Sequence, residues 1–255
     1  MVWDGLRLAG TMLTAVPIPG SRAGSGAAHD RPDRRTAAAA MYWAPVIGLL
    51  IGAAAAGVLL ACRAGHSGPL LAAVLAIATL AALTRGLHLD GLADFADGLG
   101  SRQPAGRALE IMKQSDIGPF GVATIVLTVL IQVSALARAE QIGRGPVAVA
   151  AAAVTARLAM MLACRAAVPS ARPDGLGALV ARTVRPLFGS ILVLAALAAA
   201  GAFGWIYPAA MAVALAVSLA MTRLATRRLG GITGDVLGAI AEVTAAACLL
   251  VTALS

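Results

Sequence analysis

An all-α, polytopic bundle of transmembrane helices is the fold class this sequence predicts, and three observations predict it. Of 255 residues, 60% are hydrophobic and only 13% are charged, whereas soluble domains carry about 25% charged residues. Mean hydropathy is +0.86, and the apolar residues gather into runs close to the ~20 that cross a bilayer. Aromatic residues make up only 4%, and Ala, Leu, Val and Gly form the bulk, as in helices that meet through small side chains in lipid. No stretch is left over for a separate soluble domain, so 1–255 reads as a single membrane-embedded unit.

The elements follow in order. "WDGLRLAGTMLTAVPIP" opens the chain with about fourteen useful residues before two prolines, which predicts an N-terminal interfacial or half-spanning helix. No basic start, apolar core and cleavage site follow one another there, so no secretory signal peptide is expected. The Gly/Ser-rich "PGSRAGSGAAHD" (19–30) predicts a mobile loop. Apolar runs then occupy 37–61, 69–87, 118–137 and 146–164. The stretch 187–221 divides at "GAFGWIYP" (201–208) into two shorter spans, and 236–254 closes the chain. These are seven apolar runs, two of them short, and the expectation is about six transmembrane helices beside the N-terminal one.

Lys and Arg alternate between the connections. Segments 20–36, 85–117, 165–185 and 222–235 hold fifteen of them, and the intervening connections hold three. Basic connections stay in the cytoplasm, so those four segments are assigned there, in a bacterial cytoplasmic membrane. The net charge of +8 therefore reads as membrane topology, not as a nucleic-acid surface. Cys62, Cys164 and Cys248 are far apart in apolar runs, which predicts small buried hydrophobes and neither a zinc site nor a disulfide.

Most of the acids share the cytoplasmic side, and "HLDGLADFADG" (88–98) concentrates three of them. No proline lies between 70 and 103, so the span 69–87 is expected to continue as helix into the cytosol. On that helix Asp90, Asp94 and Asp97 are spaced i, i+4, i+7 and share one face over about 10 Å. Like charges so close to a low-dielectric boundary invite a cation. Hard oxygen ligands suit Mg²⁺, which is held by one or two carboxylates together with substrate phosphates. The alternative is a solvated helix end with Asp at caps near Gly91 and Gly98. His88 is a candidate general base or ligand-orienting group, against a structural hydrogen-bonding role.

These residues also resemble a known family. "HLDGLADFADG" followed by "RALEIMKQSDIGPFGV" (107–122) is similar to the cobalamin synthases, the adenosylcobinamide-GDP ribazoletransferases. "TAVPIPG" (14–20), "TARLAMM" (155–161), "ARPDGLG" (171–177) and "LGGITGDVLGAIAEV" (229–243) resemble further family blocks, in family order over almost the whole chain. One departure stands out: after Glu110-x-x-Lys113 the family has an Asp-Ser pair, whereas this chain has Gln114-Ser115 and then Asp116. The resemblance implies a Mg²⁺-dependent membrane transferase at the end of cobalamin assembly. It would join adenosylcobinamide-GDP to α-ribazole or α-ribazole 5′-phosphate, releasing GMP. Homo-oligomers and association with other enzymes of that pathway remain open.

Attack by a ribose hydroxyl on a diphosphate needs charge neutralisation, a proton acceptor and in-line geometry. Asp90, Asp94 and Asp97 are assigned to Mg²⁺, with Asp90 or His88 as proton acceptor. Lys113 and Arg157 are candidates for phosphate charge, although Arg157, inside a span, has pairing with Glu242 as its alternative. Arg172, Gly175 and Gly177 form a loop where backbone can approach a ligand. In "GGITGD" (230–235), Gly234 and Asp235 open the last helix, with Asp235 expected as its N-cap. Glu242 continues a polar stripe seven residues on, as a further substrate or metal contact.

Competing readings are another Mg²⁺-dependent membrane transferase, of the CDP-alcohol phosphotransferase or prenyltransferase type, and a transporter. The first signature is only partly echoed by 90–93, the second uses two aspartate-rich helices, and transporters show internal symmetry that this chain lacks.

Overall fold

The computed structural model describes residues 2–14 and 33–254. The family-like "TAVPIPG" beyond Thr14 and the loop 19–30 lie outside the described residues, as do Arg22 and Arg31.

The described elements are α1 (Val2–Leu13), α2 (Arg34–Ala64), α3 (Pro69–Leu83), α4 (Leu87–Gly100), α5 (Ala105–Ile111), α6 (Pro119–Gln141), α7 (Gly145–Ala163), α8 (Gly175–Val180), α9 (Pro186–Gly201), α10 (Ile206–Leu229) and α11 (Gly234–Ala253). No strand occurs among the described residues, only two isolated parallel bridges. Five helices, α2, α6, α7, α10 and α11, are long and apolar enough to cross a membrane, and the bent pair α3–α4 makes a sixth if counted as one. The 12-residue α1 is about 18 Å long, too short to span by itself.

The helix starts are written locally. Proline sits at the first or second position of α3, α6, α7 and α9, where its missing N–H costs nothing. Asp33 caps α2 by accepting from the Thr36 N–H at 2.8 Å. The break expected within 201–208 falls between Gly201 and Ile206. The basic residues Arg223, Arg227 and Arg228 were expected in a connection. They instead ride on the last turns of α10, where cations complement the helix dipole.

Small residues set the packing. On α2, Gly48 and Gly52 form a small-x-x-x-small pair against α7: a Cβ at Gly48 would lie 2.7 Å from the Ala153 carbonyl, and one at Gly52 2.9 Å from Ala150 Cα. The core behind them is dominated by buried alanines such as Ala44, Ala55, Ala152 and Ala156. Such contacts let backbones approach closely, which is how helices associate where lipid removes the hydrophobic driving force. Cys164 and Cys248 are buried and Cys62 partly so, all as free thiols.

One expectation fails, and the failure shapes the site. The helix from 69 does not run on through the aspartates. It stops at Leu83, and α4 leaves it at 87°. Arg85 (φ 56°) and Gly86 (φ 67°) both enter the left-handed region, and the Gly86 N–H returns to the Ala81 carbonyl at 2.8 Å, closing α3. The absence of proline was no guarantee of continuity. α4 therefore lies across the end of the bundle.

Two glycines seat it there. A Cβ at Gly91 would lie 2.8 Å from Asp235 Cα, and one at Gly238 would lie 3.1 Å from His88 Cα. Replacing Gly91 by Val, which forces α4 off α11, is expected to lower the apparent Tm of the detergent-solubilised protein by about 5 °C or more. Gly57→Val, where a Cβ meets nothing within 4 Å, serves as the control and should melt close to wild type. Equal melting of the two variants would contradict the close crossing.

Candidate active site

The crossing of α4 and α11 gathers charge from three segments. Asp90 is exposed and Asp94 half-buried on α4, and Asp235 stands half-buried in the first turn of α11. The loop before α8 contributes Arg172. Its Nη1 lies 3.5 Å from Asp235 Oδ2, and its Nη2 donates to the Leu109 carbonyl at 2.6 Å. Asp235 Oδ2 also accepts from the Thr233 hydroxyl at 3.1 Å. The N-cap of α11 is Thr233, whose Oγ1 accepts from the Val236 N–H at 3.2 Å. Asp235, expected to cap, is thereby left facing the aspartates of α4.

Asp97 has a different employment. Its carboxylate accepts from the N–H groups of Gly118 and Gly121 at 2.8 and 2.9 Å, the orphan donors at the start of α6. A side chain on either glycine would strike that carboxylate. The helical spacing correctly puts 90, 94 and 97 on one side of α4. The third carboxylate, however, is turned into a cap for a neighbouring helix.

Burial, followed by the charges of Asp235, Asp90 and Asp97, pushes the Asp94 carboxyl up to about 7; Arg172 partly opposes them. Among the described residues no three acidic, His or Cys side chains enclose an ion. The group is an open set of carboxylate oxygens beside one guanidinium.

The supporting loop is held by backbone. Ile232 donates to the Pro169 carbonyl at 2.9 Å and accepts from the Ala171 N–H at 3.0 Å, tying "GGITGD" to "ARPDGLG". Gly177 is needed because a Cβ would come within 2.6 Å of the Ile232 carbonyl, and Gly175 turns with φ 78°. A Cβ at Gly234 would be in ordinary contact with Leu176. Lys113 and Asp174 form an ion pair at 3.7 Å, both more than half exposed, so Lys113 is easily drawn to another anion.

His88 is enclosed between α4 and α11, its Nδ1 without a partner among the described residues. Arg157 and Glu242 sit deeper in the bundle. No contact within salt-bridge distance joins them. Glu242 Oε2 accepts instead from Gln132 Nε2 at 2.8 Å, a partner on α6 that sequence reasoning missed. A lone Gln in an apolar span was the available signal.

A family model described as cobalamin-5-phosphate synthase matches residues 5–253. Relatives named adenosylcobinamide-GDP ribazoletransferase include those of Frankia casuarinae, 44% identical over 98% of this chain and 94% of that one, and of a Nocardioides species, 39% identical over 97% of both. That of Chlorobaculum tepidum is 38% identical over 98% of this chain and 95% of its own. No solved structure matches.

Two outcomes are expected. Asp97→Ala, which strands two N–H groups of α6, should lower stability by about 1–2 kcal/mol in thermal or denaturant unfolding. Asp94 behaves oppositely. Its native pKa is raised above the ordinary 3.8, so the native state holds a proton that the unfolded chain releases. The penalty of ionising it grows from about pH 4 and is complete above about 7. Asp94→Asn should therefore raise the apparent Tm of metal-free protein at pH 8, with a smaller gain at pH 5.

Proposed function

The chain belongs to the cobalamin-5-phosphate synthase family, and from that premise we propose how its site performs the family's reaction. The activity is ribazole transfer: adenosylcobinamide-GDP and α-ribazole, or its 5′-phosphate, give adenosylcobalamin, or its phosphate, and GMP. The observation that carries the assignment of the site is the meeting of Asp90 and Asp94 of α4 with Asp235 of α11 beside Arg172.

In the reaction a ribose hydroxyl of α-ribazole attacks the phosphorus on the corrinoid side of the diphosphate, and the bond to GMP breaks. The donor set fits Mg²⁺: it is open, made of hard oxygens and short of positive charge, and Mg²⁺ needs only one or two carboxylates when substrate phosphates complete its shell. Asp90, Asp94 and Asp235 would hold it, with Asp97 committed to α6. When bound, Mg²⁺ neutralises charge on the diphosphate.

The chain's own residues do the remainder. Arg172, anchored on the Leu109 carbonyl, presents its guanidinium beside the carboxylates, where a diphosphate oxygen can replace Asp235 as partner. Lys113 meets the outer phosphate or the phosphorylated ribazole once it leaves Asp174. Asp90, the most exposed of the carboxylates, accepts the hydroxyl proton, and His88 backs the same turn of α4. Gly175, exposed and left-handed, lets loop backbone approach the substrate, and Gly177 holds that loop on Ile232.

Apolar helices place the protein in a membrane. We assign that membrane as the bacterial cytoplasmic one, with the site facing the cytoplasm, supported by the fifteen-to-three bias of basic residues. Other enzymes of the pathway would then meet the site from the same side.

Purified protein in lipid, given both substrates, is expected to release GMP with Mg²⁺ and not with chelator. Asp90→Asn and Asp94→Asn should each lower kcat by about 100-fold or more. Mg²⁺ with the diphosphate substrate should raise the apparent Tm of wild type but not of Asp94→Asn. Folded protein that releases no GMP, or an Asp94→Asn variant that turns over normally, overturns the assignment.

A further inference from the structure

Between α2, α3, α6, α7 and α11 lies a partly open cavity of about 30 Å³. Its polar lining is Gln132 of α6, Arg157 of α7 and Glu242 of α11, and alanines such as Ala153 and Ala245 supply much of the rest. Arg157 is 5% exposed, and its Nε and Nη2 are buried with no hydrogen-bond partner among the described residues. A guanidinium in that setting is costly unless its donors are met. The nearest anionic group on the cavity wall, Glu242, is beyond salt-bridge range and is held by Gln132. A single water needs about 10–15 Å³ of such space and two to four polar partners, so the cavity admits about two waters and has the groups to fix them.

We infer that Arg157 and Glu242 are an ion pair bridged by internal water, and that they serve the reaction as positioning residues without touching substrate. Their location says what they position. Glu242 lies seven residues below Asp235 on the same face of α11, with Gly238 between them against the backbone of His88. The stem of Arg157 packs on Gly48 of α2, where a Cβ would lie 3.0 Å from its Cγ. The bridged pair thus sets how α11 sits on α7 and α2, and α4 sits on α11. A shift of one helix there changes the distance from Asp235 to Asp90 and Asp94. The inference rests on the assignment of those aspartates to the reaction.

A double-mutant cycle tests it, with Arg157→Met, Glu242→Gln and the pair in lipid nanodiscs. Each single variant leaves one charge inside the bundle uncompensated, the buried Arg157 or the partly buried Glu242. Each is expected to lose several degrees of apparent Tm and more than 10-fold in kcat per folded molecule, with KM for both substrates within about 3-fold of wild type. The double variant should recover most of the lost Tm and part of kcat. Ala245→Ile, which fills the cavity and expels the water, should reproduce the kcat loss at unchanged KM while remaining folded. Additive Tm losses in the cycle, or a filled variant with wild-type kcat, overturn the water-bridged pair. A KM for the corrinoid substrate raised more than 10-fold by Arg157→Met, not rescued in the double variant, overturns the positioning role and makes Arg157 a substrate contact. The Tm cycle does not depend on turnover, so it reads the pair even if wild type releases no GMP and the functional assignment fails.

Discussion

Everything at the α4 end of the bundle depends on how closely α4 approaches α11. Two backbones separated by the width of a missing Cβ, at Gly91 over Asp235 and at Gly238 under His88, hold a short helix flat across the end of a bundle. At Gly91 a side chain would force the two backbones apart, and at Gly238 it would be a tight contact. In lipid such contacts replace hydrophobic burial as the source of helix association. Here the same contact also brings carboxylates from sequence positions far apart to one place.

Helix ends are the second constraint. A backbone N–H without a partner is expensive near the membrane, and this chain meets the need with its few polar side chains. Asp97 serves α6, Thr233 serves α11, and a left-handed Arg85–Gly86 pair closes α3. Each of these local solutions has a consequence for the site. Capping by Thr233 leaves Asp235 free to join Asp90 and Asp94, and capping of α6 withdraws Asp97 from them. The right-angled turn after Leu83 lays the aspartates across the end of the bundle.

Charge follows the same division. Outside the core, Arg172 partly tempers the repulsion among the aspartates. Inside it, Arg157, Glu242 and Gln132 form a polar knot under the site, which a bundle of alanines and leucines keeps only where water can join the groups. The far end is pinned separately by Arg63, whose Nε and Nη2 both reach Glu140 Oε1 at 2.9 and 2.8 Å.

Much was legible in the sequence because it depends on local composition and spacing. Apolar run length predicts α2, α6, α7 and α11 to within a few residues. The i, i+4, i+7 spacing marks α4 as the acidic element, and the ordered family blocks identify the reaction. The GLLIG segment at 48–52 also announces the α2–α7 contact to anyone looking for small residues one turn apart. What only the tertiary structure decided is which carboxylate does what. Spacing on one helix treats Asp90, Asp94 and Asp97 alike, since it contains nothing about the helix that lies alongside. Asp97 becomes a cap because the amides of Gly118 and Gly121 face it, and Asp235 comes close to Asp90 and Asp94 because α11 starts under Gly91. Those are relations between segments distant in sequence, set by backbone approach, and no periodicity within one segment encodes them.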